Sequence, residues 1–165
     1  MGYYNTPQTI GFAHTHPQQY DNIVGGDMFS PADFLRFRDI VNMATHNDNA
    51  NESDAYGIMM FGTGNERVNY MSKFTGSYAN AYNEFTPNPP NAEELKKGYG
   101  NYVERYGNAA KAFLTLVNEV ILNGDTDFKD SGVHLMKFGL NNDSSLKSSS
   151  EISLDQNGKV KKENC

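Results

Sequence analysis

Four residues in the first fifth of the chain have the types and spacing to bind a metal: His14 and His16, then Ser30 and Asp33. Residues two apart on a strand face the same side, so Ala13-His14-Thr15-His16 would turn two imidazoles toward one point while Thr15 faces away. A carboxylate brought beside them completes three protein ligands and leaves a fourth tetrahedral position open, the arrangement of a catalytic rather than a structural zinc. Each half of the pattern also has a plain explanation. Two histidines in a strand often form a surface or hydrogen-bonded pair, and Ser-Pro-x-Asp caps a helix without any metal, worth about 1 kcal/mol. Capping and ligation therefore compete for Asp33. The joint pattern His-Thr-His-Pro followed by Phe-Ser-Pro-Ala-Asp-Phe is the stronger signal.

These residues need a strand, a loop and a helix start to position them. Thr9 to His16 is short, β-branched and aromatic and is stopped by Pro17, which predicts a strand entering a loop. Residues 17 to 29 form that loop, with Gly25-Gly26 inside it. Ser30 at the N-cap, Pro31 at the first helical position and Asp33 at the third then open a helix. Phe34, Phe37, Ile40 and Val41 share one face, Arg36 and Asp39 fall on the other, and the helix ends near Thr45.

Asn47 to Asp54 reads as an exposed turn. Tyr56–Phe61 and Arg67–Met71 read as antiparallel strands around Gly62-Thr63-Gly64-Asn65. Phe74 to Pro90 holds three prolines and reads as a long crossing loop. Helical spacing returns from Asn91, with Leu95, Tyr99, Tyr102 and Tyr106 as core positions, and runs on through Ile121 until Asn123-Gly124. Gly98, Gly100 and Gly107 each weaken a helix by about 1 kcal/mol, so one bent helix or two shorter ones fit equally. The tail predicts a strand at Val133–Lys137, a flexible connection over Ser144 to Ser150, and a hairpin of Ile152–Asp155 and Lys159–Lys161 joined through Gln156-Asn157-Gly158. His46 and His134 read as helix-dipole and packing residues. The fold class is α+β, a mixed sheet with the Ser30 helix on one side and the 92–122 region on another.

Length and composition bound the rest. The 165 residues suit one domain, and the ten phenylalanines and ten tyrosines can fill a core despite a hydrophobic share of only 38%. A net charge of -6 has the wrong sign for a nucleic-acid surface. No apolar run approaches a membrane span and the first residues lack a signal-peptide pattern. Met1-Gly2 with Thr6 fits the loose myristoylation template, but no basic cluster follows to supply a second membrane signal. The only cysteine is Cys165, read as part of a solvated tail, so any metal must use nitrogen and oxygen ligands.

On these residues the sequence resembles the JAB/MPN (JAMM) metallopeptidase family, whose signature is an upstream Glu, then His-x-His, then Ser-x-x-Asp. It looks most like the bacterial JAB-like domains at the C-terminal ends of Rhs-type and other polymorphic toxin proteins, where Ala-His-Thr-His-Pro and Phe-Ser-Pro-x-Asp segments recur. The resemblance implies a single JAB-like domain over residues 1–165 with a cytidine-deaminase-like mixed sheet flanked by helices. Its motif-bearing part covers about 9–71, followed by a helical part at about 91–123 and a strand and hairpin at about 132–163. It further implies Zn2+ held by His14, His16 and Asp33, with Ser30 helping to hold the oxyanion or the attacking water. The implied activity is that of a peptidase or isopeptidase of a toxin or effector, acting on a peptide or protein and opposed by an immunity protein. It implies a cytoplasmic location, or secretion as the C-terminal part of a larger protein.

Two features depart from the family. The thirteen residues from Pro17 to Phe29 make the loop between the motif halves longer than usual, and Met1 to Ala13 contain no acidic residue to serve as the upstream general base. Two expectations follow: a truncated piece of a longer protein, or a variant that retains metal without efficient hydrolysis. Asp21, Asp27 and Glu66 are the nearest substitutes for the base. The rival class is a metal-retaining inactive binding module or a purely structural C-terminal domain.

Overall fold

Among the described residues, short β-branched and aromatic segments build six strands, and three helices carry the apolar stripes that cover them. The computed structural model describes residues 10–16, 28–45, 52–61, 68–75, 92–121 and 132–165, with His16, Thr45, Glu52, Ala92, Val120 and Ile121 described by their backbone only. The strands are β1 (Gly11–His16), β2 (Tyr56–Phe61), β3 (Val68–Phe74), β4 (Val133–Leu140), β5 (Leu146–Leu154) and β6 (Val160–Asn164). The helices are α1 (Pro31–Thr45), α2 (Ala92–Tyr106) and α3 (Ala109–Leu116), the last continued by a π-helical turn at Val117–Ile121.

The sheet order is β1-β2-β3-β4-β5-β6. Every neighbouring pair is antiparallel except β1 with β2, and two parallel strands need a crossover, here the one that contains α1. The mixed α+β class expected from the sequence is therefore the class found. Met59, Tyr70, Phe74, Val133, Leu135 and Ile152 are buried on the strands and join one core with Phe34, Phe37, Ile40 and Val41 of α1 and Leu95, Tyr99 and Phe113 of the later helices.

The helices do not lie on separate sides, as the apolar stripes alone suggested. The Phe34 ring meets that of Phe113 edge-on at 6.0 Å, and Phe29 lies 6.2 Å from the same ring, so both helical units share one interior. The choice between one bent helix and two resolves as two. Gly107 takes the left-handed conformation, with φ of 60°, and its N–H donates to Val103 O; Asn108 then caps α3 by accepting from Lys111 N at 2.9 Å.

The serine-rich stretch also differs from expectation. Ser148, Ser149 and Ser150 are strand residues of β5, paired with Gly139, Phe138 and Lys137 of β4, and Ser150 also pairs with Asn164 of β6, so a composition typical of a linker is held by strand pairing. The second hairpin strand is described from Val68, Arg67 lying outside the described residues, and it runs on to Phe74, whose buried ring extends β3 into the segment read as loop. Of the Asn47–Asp54 turn, Glu52–Asp54 is a short 3-10 helix. His46, the two loops containing Gly25-Gly26 and Gly64-Asn65, residues 76–91 and the stop at Asn123-Gly124 lie outside the described residues. Among the described residues no helix is long and apolar enough to cross a membrane.

Candidate metal centre

Asp33 caps α1 with one of its two carboxylate oxygens. Its Oδ2 accepts from the Ser30 backbone N–H at 2.8 Å and from Ser30 Oγ at 2.7 Å, while Asp33 N donates back to Ser30 Oγ at 3.3 Å. This reciprocal capping box fixes the first turn of α1 and the plane of the carboxylate. Oδ1 is left facing the sheet, 3.4 Å from His14 Nε2, with both side chains about four-fifths buried.

The strand side is fixed by register. Phe12 pairs with Gly57, His14 with buried Met59 and His16 with Phe61. The Phe12 ring stacks on the His14 imidazole, with centroids 5.7 Å apart and planes 21° from parallel. It can lie there because position 57 has no side chain: a Cβ on Gly57 would stand 2.7 Å from the Phe12 ring. Phe12 and Gly57 support the site although neither has a chemical group that the sequence pattern flagged.

The 3.4 Å between nitrogen and oxygen is longer than a charge-assisted hydrogen bond of about 2.7–2.9 Å. Two ligands about 2.0–2.1 Å from one tetrahedral zinc stand about 3.3 Å apart, so the donors present fit that ion. They line a cleft of about 30 Å3 together with Phe12 and Arg36, room for one or two water-sized occupants. Among the described residues no three His, Cys, Asp or Glu side chains converge. The third ligand expected, His16, is in β1 as required, but its side chain lies outside the described set, as do Asp21, Asp27 and Glu66.

Arg36, placed by its spacing on the face of α1 away from Phe34 and Phe37, also lines the cleft. The signal was available: position 36 is three residues from Asp33, so the two are neighbours on the helix surface. Asp39, assigned to the same face, instead pairs with Arg38 at 2.8 Å. Comparison of the chain with protein-family models, with curated proteins and with solved structures finds no match.

Proposed function

We propose that the chain is a zinc-dependent peptidase or isopeptidase-like domain of the JAB/MPN kind, belonging to a bacterial toxin or effector and of low activity as the sequence stands. The observation that carries this reading is the His14–Asp33 spacing, set at a ligand-to-ligand distance by a strand and a capped helix. His14, His16 and Asp33 would hold the ion, whose bound water has its pKa lowered to about 7. The Ser30 hydroxyl donates a hydrogen bond to Asp33 Oδ2, which makes it a positioning residue here; stabilising an oxyanion requires that hydroxyl to turn away from the carboxylate. The Arg36 guanidinium gives the cleft a fixed positive charge suited to an anionic group of a peptide or protein substrate.

A second reading, a metal-retaining module without efficient hydrolysis, fits the 3.4 Å His14–Asp33 spacing equally, since that spacing concerns the ion and not a general base. A positioned base contributes about 10²- to 10⁴-fold, so its lack is felt as rate and not as metal affinity. Zinc content of the purified chain, with peptide and isopeptide cleavage measured in parallel, tests both. Zinc binding that survives His14→Ala together with His16→Ala overturns the metal assignment. Zinc binding with no cleavage, even after an upstream strand bearing Glu is supplied, selects the second reading.

A further inference from the structure

A second histidine stands in a different setting, where three neighbouring strands bring a hydroxyl, an imidazole and a carboxylate into line. Thr75 follows β3, His134 is on β4 opposite Lys73, and Glu151 is on β5 opposite Met136, one diagonal step from His134. Thr75 Oγ1 is 2.7 Å from His134 Nε2, and His134 Nδ1 is 2.9 Å from Glu151 Oε1. The carboxylate can only accept, so a neutral His134 carries its proton on Nδ1 and offers the Nε2 lone pair to the Thr75 hydroxyl. That is the order of groups in a hydroxyl nucleophile, its general base and the residue that orients the base. Thr75 is exposed, whereas His134 and Glu151 are mostly buried, so the base is held and the nucleophile is reachable.

We propose that Thr75, His134 and Glu151 form an acyl-transfer site, separate from the metal cleft, that takes acyl groups from activated donors such as aryl esters and thioesters. Thr75 Oγ1 attacks the acyl carbon as its proton passes to His134 Nε2. The Oγ1–C bond forms, the bond to the aryl oxygen or thioester sulfur breaks, and the leaving group departs with its electron pair and with the proton from His134 Nε2, as a phenol or thiol, which returns His134 to its neutral form. The result is an acyl-threonine ester. Water then attacks that ester with His134 again taking a proton, and the carboxylic acid leaves as the proton returns to Thr75.

The choice of activated donors follows from the backbone. The Thr75 N–H donates to Gly132 O at 2.8 Å and is therefore committed away from a developing oxyanion. Amide cleavage needs strong oxyanion stabilisation, whereas an aryl ester or thioester has a leaving group good enough to do with less. His134 and Glu151 sit on adjacent strands of the sheet, and so the constellation is preorganised by regular structure rather than by a loop.

The test uses the full chain with p-nitrophenyl acetate and an S-acetyl thioester, followed by peptide mass mapping. Acetyl should appear on Thr75 ahead of the other hydroxyls, and Thr75→Ser should be labelled as well while Thr75→Val is not. His134→Gln should slow labelling at position 75 by on the order of 10²-fold. Glu151→Gln should slow it by about tenfold or more and move the ring proton of His134 from Nδ1, as read by nitrogen NMR. Chelator should leave all these rates unchanged, which separates this site from the metal reading. Acetyl confined to lysine amines and the N-terminus of the wild-type chain, or Thr75 labelling no faster than that of other hydroxyls, overturns the proposal without recourse to any variant. Unchanged labelling in a folded His134→Gln chain overturns it too.

Discussion

Among the described residues histidine meets carboxylate twice, and the two pairs are built differently. His14 and Asp33 join a strand to the first turn of a helix, stand 3.4 Å apart and border a cleft. His134 and Glu151 join two antiparallel strands at 2.9 Å, with the opposite ring nitrogen on Thr75 at 2.7 Å. One spacing fits a shared ion, the other a chain of direct hydrogen bonds. The difference comes from the scaffold: a capping box holds one oxygen of Asp33 and sets the other at a distance, whereas adjacent β-strands bring diagonal side chains into contact.

The largest effect that would break this contrast is on metal. Replacing His14 and His16 together by Ala should abolish stoichiometric zinc, a loss of several orders of magnitude in affinity, while His134→Gln leaves zinc content unchanged; metal analysis and competition with a chelating dye read both. Metal removal should also lower hydrogen-exchange protection across residues 28–36 more than across α2, because a ligand that binds only the folded form stabilises where its donors are held. Equal loss in the two regions would count against a metal tie between strand and helix.

Next in size is Gly57→Ala, which forces the Phe12 ring to move and should cost about 1–3 kcal/mol by denaturant unfolding, with a weaker zinc site as a companion. Ser30→Ala should cost about 1 kcal/mol through the cap and leave zinc affinity within about tenfold. A larger change in zinc than in stability would mean that Ser30 touches the ion directly. The smallest effect is remote from both histidines. The Tyr102 hydroxyl donates to the Glu119 carboxylate, and this bond, aided by burial, pushes its pKa up to about 12 from 10.0. A folded pKa above the unfolded one means stability complete below pH 10 and lost as pH rises toward 12, so Tyr102→Phe should flatten that decline in urea midpoints.

Much of this was legible in the sequence where local chemistry decides. Ser30, Pro31 and Asp33 marked the start of α1 and Thr45 its end; Tyr56–Phe61 was found to the residue. The sequence was least informative where tertiary pairing overrides composition. Ser148 to Ser150 have the makeup of a linker and become a strand because β4 pairs with all three, with β6 joining from the other edge at Ser150. The site shows the same division. His14 and Asp33 were named by type and spacing, but Phe12 entered through a glycine on the neighbouring strand and Arg36 through helix geometry. Thr75 and Glu151 lie 76 positions apart in the chain, and only the order of the strands brings them to the same imidazole.

That strand order also carries a kinetic consequence. From β4 to β6 the chain runs through consecutive hairpins whose partners are close in sequence, and a meander of this kind closes short loops at little entropic cost. The pairing of β1 with β2 has to wait until α1 has formed and crossed between them. Pulse-labelling during refolding should therefore find amide protons of β5 protected before those of β1, so that the chain completes its meander first and assembles the strand bearing His14 and His16 last; simultaneous protection of the two would indicate a single nucleus spanning the whole sheet.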